Sequence, residues 1–131
     1  MVKKLLISGV IFSCTGVMLG AMGAHALKEQ LDVSQLASFE TGVRYQLFHG
    51  LALMVVALIP VVSNTAKNIV FWLFVVGLVL FSGSIYGLST QAITGIELAF
   101  LGPVTPVGGL LLILGWLFIL LKLFKFKSTK D

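Results

Sequence analysis

The sequence has little charge and almost no cysteine. Only 11% of its 131 residues are charged, there are three prolines, and Cys14 is the one cysteine. A single cysteine excludes an intrachain disulfide. The chain also lacks a P-loop, a GxGxxG fingerprint, an HExxH metal motif and paired cysteines. Nothing in these patterns indicates an enzyme, so we predict no catalytic residue, no metal site and no cofactor.

Apolar residues are abundant. They make up 58% of the chain, which is too much for a soluble domain and typical of a protein that crosses the membrane several times. The net charge of +4 permits nucleic-acid binding, but the lysines concentrate at the chain ends and in one loop. Basic residues at the rim of a membrane protein indicate topology and contact with anionic lipid headgroups. We therefore expect the lipid bilayer as partner and no nucleic acid.

Four long apolar runs divide the chain. Each is near or above the roughly 20 residues that a helix needs to cross a bilayer. The predicted fold is all-α, a polytopic membrane protein whose residues 1–131 form a single domain with four transmembrane helices in a compact bundle. The predicted spans are residues 5–27, 43–62, 69–88 and 103–121.

The first run allows an alternative. Its two leading lysines, its apolar core and the sequence Ala24-His25-Ala26 also match the three regions of a cleaved signal peptide. A permanent span is favoured because three further hydrophobic runs follow.

The second run is predicted to begin as an interfacial helical extension. Asp32 followed by Gln35 is a variant of the capping box that starts helices. Glu40 lies four residues before Arg44, the favourable order for an ion pair on a helix. The helix is therefore predicted to begin near Val33, outside the hydrocarbon, and to continue to Val62.

Basic residues are distributed unequally between the two sides of the predicted bundle. Four spans place the N-terminus, the loop after span two and the C-terminus on one side. That side holds most of the basic residues, namely Lys3, Lys4, Lys67, Lys122, Lys125, Lys127 and Lys130, whereas the other side holds Lys28 and Arg44. The positive-inside rule predicts both termini in the cytoplasm.

Small residues recur at helical spacing. Ser13, Gly16, Gly20 and Ala24 form a small-xxx-small stripe of the kind that lets two membrane helices approach closely. Other glycines predicted to pack helices together are Gly83, Gly87, Gly108 and Gly109.

The candidate site consists of the polar residues in and near the first two spans. An imidazole inside a membrane is costly enough to be a functional candidate. We predict that His25 and His49, the only histidines, share a hydrogen-bonded cluster with Tyr45, Glu40 or Arg44 near the outer interface. The alternative is that each histidine simply bonds a backbone carbonyl or a serine across a helix pair.

Four motifs in order carry a resemblance that covers nearly the whole chain. They are Gly-Ala-Met-Gly-Ala-His-Ala-Leu at 20–27, Tyr-Gln-Leu-Phe-His-Gly-Leu-Ala-Leu at 45–53, Leu-Phe-Ser-Gly-Ser-Ile-Tyr at 80–86, and Thr-Pro-Val-Gly-Gly at 105–109 followed by Gly115-Trp116. The chain resembles a small inner-membrane family of unknown function, which includes YwdK-like and YgdD-like bacterial proteins and a vertebrate mitochondrial relative. The resemblance implies a four-span helical fold in the bacterial plasma membrane and brings no activity with it.

The function expected from the sequence is interaction or membrane organisation, with a homo-oligomer or another membrane protein as partner. One alternative is an oligomeric small-solute transporter or channel, whose polar path would have to use His25, Glu40, Arg44 and His49 because residues 69–121 contain only one charge, in the connection before span four. Another is a haem- or quinone-binding protein that uses His25 and His49.

Overall fold

In a computed structural model that describes residues 1–126, the chain is all-helical, as predicted. The elements are α1 (Val2–Ala24), α2 (Val33–Leu58), α3 (Asn64–Ser89), the short α4 (Gln91–Thr94), a 3₁₀ turn (Ala99–Leu101) and α5 (Val104–Phe124). Four of these helical segments are long and apolar enough to cross a membrane. Lys127 and Lys130, which contribute to the predicted charge asymmetry, lie outside the described residues.

The start of α2 follows the predicted capping box. The Asp32 carboxylate accepts a hydrogen bond from the Gln35 backbone N–H at 2.8 Å, and the Gln35 side chain accepts one from the Asp32 N–H at 3.1 Å. The helix then runs unbroken for 26 residues, about 39 Å at 1.5 Å per residue. Since the hydrocarbon core is about 30 Å thick, α2 is about 9 Å longer than an upright span requires.

Several helix ends differ from the predicted spans for local reasons. Helix α2 ends at Leu58 rather than Val62 because Pro60 disfavours helical geometry at Ile59, which is extended. Helix α3 begins five residues earlier than predicted because the Ser63 hydroxyl accepts a hydrogen bond from the Ala66 N–H. Helix α1 ends at Ala24, so His25 lies beyond the helix.

The helices pack mainly in chain order. The extensive contacts join α1 to α2, α2 to α3, and α3 to α5. The larger apolar core lies between α2, α3 and α5, around residues such as Leu53, Phe74 and Leu112. A smaller core, around Phe39 and Val43, lies where the α1–α2 connection covers the start of α2. Helices α2 and α5 face each other across an open groove.

Lys67 is buried within the bundle rather than placed in a loop. Its ammonium donates a hydrogen bond of 2.9 Å to the Ala57 carbonyl, in the last turn of α2. A cation at a helix C-terminus satisfies a carbonyl that has no partner in its own helix and interacts favourably with the helix dipole. Lys67, which the sequence places in the loop after span two, therefore lies in the first turn of α3 and joins it to the end of α2.

Candidate functional site between α2 and α5

His49 lies on the face of α2 that points toward α3 and α5, and only 4% of it is exposed. Its Nδ1 lies 2.8 Å from the Tyr45 carbonyl oxygen, and its Nε2 lies 3.1 Å from the Trp116 indole nitrogen. A carbonyl only accepts and an indole N–H only donates. Nδ1 therefore carries the proton, Nε2 accepts from Trp116, and the ring is a neutral imidazole with both nitrogens engaged.

Aromatic rings surround this imidazole. The Phe74 ring meets it edge-on at 5.1 Å between centroids, and the Trp116 ring does so at 5.9 Å. The Tyr45 ring stacks beside it at 6.1 Å and also contacts Phe81. These contacts come from α2, α3 and α5, so His49 lies at the junction of three helices.

The groove between α2 and α5 runs past the His49–Trp116 pair and has a volume of about 780 Å³, within the range of small-molecule sites. Its walls are mainly apolar, and their polar side-chain atoms belong to Arg44, Tyr45, His49 and Trp116. The lining residues are Arg44, Tyr45, Phe48, His49, Leu51, Ala52, Val55, Val56 and Ile59 from α2 or its end, and Trp116 and Ile119 from α5. A smaller cavity of about 240 Å³ shares Tyr45, His49 and Trp116 with it.

Gln46 forms a second buried polar centre, which joins three helices. Its Nε2 donates to the Phe12 carbonyl at 3.0 Å and to the Thr15 hydroxyl at 2.8 Å, both in α1. Its Oε1 accepts from the Tyr86 hydroxyl of α3 at 2.7 Å. Because the amide is satisfied on both sides, it fixes the register of α1 and α3 against α2.

Serines make the remaining polar links between helices. The Ser82 hydroxyl donates to the Gly42 carbonyl of α2 at 2.8 Å. The Ser84 and Thr105 hydroxyls lie 2.6 Å apart and connect α3 to the first turn of α5. Such bonds hold membrane helices together, since lipid offers no alternative partner.

The structure does not bring the two histidines together. Gly16 of α1 lies against Leu47 and Gly23 lies against Phe39, so His49 is level with about residue 14 of α1. His25 is exposed at the end of that helix, about 17 Å away along the axis at 1.5 Å per residue. The predicted shared cluster is corrected: His49 lies deep in the bundle and His25 at its surface.

Of the other members of the predicted cluster, Arg44 and Tyr45 line the same groove as His49, whereas Glu40 does not. Glu40 and Arg44 are exposed on α2, and within residues 1–126 no ion pair joins them at the 4.0 Å limit. Tyr45 contributes its ring and its carbonyl to the site. In the same part of the chain, no group of three or more His, Cys, Asp or Glu residues is arranged to hold a metal ion.

The small residues predicted to pack helices together divide into two groups. Gly16, Gly20, Gly87, Gly108 and Gly109 lie where an added Cβ would meet another element. Gly108 is the tightest, because its Cβ would meet the Phe81 backbone nitrogen of α3. Gly83 and Ala24 require correction: Gly83 is exposed with open space around its Cβ position, and Ala24 is exposed.

Other close approaches escaped the sequence reasoning. Gly9 contacts the Gly50 carbonyl of α2, with an added Cβ only 2.6 Å from that oxygen, and Gly115 lies against the Phe74 ring. The spacing of Gly9, Gly16 and Gly23 by seven residues was a usable signal, because positions seven apart share one helix face.

The polar partners that were missed are Trp116, Gln46, Tyr86 and Ser82. Gln46 had a signal of its own, since an amide inside a predicted span needs a partner as much as an imidazole does. No local signal in the sequence indicated Trp116, because its hydrogen bond to His49 joins residues 67 positions apart.

Comparison with known proteins gives a consistent assignment. The family model described as "Protein of unknown function (DUF423)" matches residues 19–109. The UPF0382 membrane protein SH2409 of Staphylococcus haemolyticus is 39% identical over 95% of this chain and 98% of its own length. The UPF0382 membrane protein YwdK of Bacillus subtilis is 36% identical with the same coverage, and one from Haemophilus influenzae is 37% identical over 86% of each chain. No solved structure matches.

Proposed function

Since the chain belongs to the DUF423 family of membrane proteins, whose function is unknown, we propose that it is a non-enzymatic interaction or membrane-organising protein. It acts by binding a membrane component in the groove between α2 and α5. We place it in the bacterial plasma membrane with both termini in the cytoplasm.

The observation that carries this proposal is that buried polar side chains are used in hydrogen bonds within the bundle, whereas the groove is left open. Both ring nitrogens of His49 are used in hydrogen bonds, so neither is free to act as a general base. The Gln46 amide, which is not a base, is used in bonds between helices. The groove, by contrast, is open and apolar and reaches the middle of the span. Its chemistry is that of a binding surface.

The alternatives find less support. A haem or a metal held by His25 and His49 requires both rings at bonding distance from one centre, and they lie about 17 Å apart along α1 at 1.5 Å per residue. A solute path built from His25, Glu40, Arg44 and His49 requires these residues to line one passage. His25 is instead at the end of α1, away from the groove.

Native mass spectrometry of the detergent-purified protein tests the proposal. We expect a membrane component bound in stoichiometric amount, and the same spectrum gives the oligomeric state. In parallel, proteoliposomes should show no solute flux above that of empty vesicles, and the purified protein should show no haem absorbance. Flux that depends on the protein, or a haem band lost in His49→Ala, would contradict the proposal.

A further inference from the structure

We infer that the groove between α2 and α5 holds an acyl chain of one phospholipid with net negative charge, and that Arg44 binds the phosphate of its headgroup. The inference rests on the proposed function and names the component bound. The lipid belongs to the leaflet on the side of the α1–α2 connection, where Arg44 lies.

The charge at the groove is confined to one end. Arg44 is the only charged residue among the lining side chains, it is exposed, and no carboxylate of residues 1–126 pairs with it. A guanidinium binds phosphate through two parallel N–H donors and is less strongly hydrated than an ammonium. Glu40, one turn away, is exposed and makes no ion pair with Arg44 in the described residues.

The remainder of the groove suits a hydrocarbon chain. From Arg44 the lining continues along α2 through Phe48, Leu51 and Val55 to Ile59, a distance of about 22 Å at 1.5 Å per residue. One leaflet of the hydrocarbon core is about 15 Å deep, half of about 30 Å. An acyl chain attached to a headgroup at Arg44 therefore lies against α2 for its whole depth in the leaflet.

The polar atoms deep in the groove favour a lipid over a quinone. A quinone carbonyl needs a hydrogen-bond donor, but the Trp116 N–H is donated to His49 and the His49 Nδ1–H to Tyr45. With both donors occupied, the other side-chain donors among the lining residues belong to Arg44 and to Tyr45 beside it, at the headgroup end of the groove. The remainder of the lining offers an apolar surface and edges of rings. One cation at the mouth and an apolar remainder match a molecule with one charged head and a hydrocarbon tail.

Competition between lipids tests the inference. Delipidated protein is mixed with equal amounts of phosphatidylglycerol, which is anionic, and phosphatidylethanolamine, which is zwitterionic, and bound lipid is counted by native mass spectrometry. We expect one phosphatidylglycerol per chain. Arg44→Gln should weaken its binding about five-fold, because one basic residue near an anionic surface contributes about 1 kcal/mol. The matched control, Lys28→Gln, removes the other cation on the same side, which lies outside the groove, and should change nothing.

A second pair of variants tests the tail. Val55→Trp puts a large ring into the groove and should reduce binding of both lipids, whereas Val17→Trp changes an equally exposed residue on α1 and should have no effect. Equal binding of the two lipids, or retention of phosphatidylglycerol in both Arg44→Gln and Val55→Trp, overturns the inference. The inference is also overturned if a second protein chain binds in the groove and Val55→Trp abolishes that binding, although the proposed binding role then stands. If Arg44→Gln fails to fold, Arg44→Met replaces it, because it also removes the charge from a side chain of similar length and should weaken phosphatidylglycerol binding to the same extent. Unchanged lipid selectivity in Lys28→Gln remains required.

Discussion

At the scale of single residues, His49 is held by two partners that determine its protonation. If His49 took up a second proton, its Nε2–H would point at the Trp116 N–H, because an imidazolium has two donors and no acceptor. The hydrogen bond from Trp116 therefore favours the neutral ring. The histidine and the tryptophan thus act as one unit that joins α2 to α5 beside the groove.

Trp116→Phe isolates the hydrogen bond of this unit, because an aromatic ring remains while the donor is lost. The unpartnered Nε2 of His49 should lower the free energy of unfolding by about 0.6 to 2 kcal/mol, the range found for hydrogen bonds between membrane helices. Denaturant unfolding in detergent measures the change. Trp72→Phe is the control: Trp72 is half exposed and donates no hydrogen bond within residues 1–126. An equal loss in both variants would show that the bond contributes nothing of its own.

Tyr86→Phe makes the corresponding test of the Gln46 network. The hydroxyl at 2.7 Å from Gln46 Oε1 is lost, while the ring keeps its contact with Phe39. We expect a loss of about 1 kcal/mol. In the Gln46→Leu background the same substitution should cost less, and a double-mutant cycle gives the difference. Strictly additive effects would mean that the two side chains are not coupled.

At the scale of elements, the helices were predictable because their signals are local. The Asp32 capping box and the apolar runs each lie within a few residues of the feature that they specify. The candidate site was not predictable in the same way. The prediction that His25 and His49 share one cluster allowed for an offset in depth between antiparallel neighbours, short enough for a chain of hydrogen bonds. The contacts of α1 with α2 make that offset about 17 Å at 1.5 Å per residue, because the end of α1 lies beside the start of α2.

One glycine of α5 and one of α3 form a matched pair of substitutions, because Gly108 lies at the contact between these two helices and Gly83 lies away from it. Gly108→Ala drives a methyl group into the backbone of Phe81, which cannot move aside as a flexible side chain can, and should destabilise the protein by about 1 to 3 kcal/mol. Gly83→Ala places the same methyl group in open space and should leave stability unchanged or raise it, because alanine favours helix more than glycine does. Thermal unfolding in detergent compares them. If Gly83→Ala destabilised the protein and Gly108→Ala did not, α3 and α5 would have to meet through faces other than those of Phe81 and Gly108.

For the protein as it lies in the membrane, the distribution of basic residues predicts that both termini are cytoplasmic. The bounds of the helices determine where a reporter can be fused to test this. A reporter fused after Lys67 would interrupt α3, which begins at Asn64 and in which Lys67 is buried. The connection between α2 and α3, at residues 59–63, is the better insertion point. A reporter active only in the cytoplasm should work there and at the C-terminus. It should be silent after Glu29, which lies between α1 and α2 and before the capping box of Asp32. Removing Lys3 and Lys4 should weaken this preference, since basic residues that flank spans set orientation, while removing Lys28 should strengthen it. Activity after Glu29 combined with silence at the C-terminus would reverse the orientation and move Arg44, with the mouth of the groove, to the cytoplasmic leaflet.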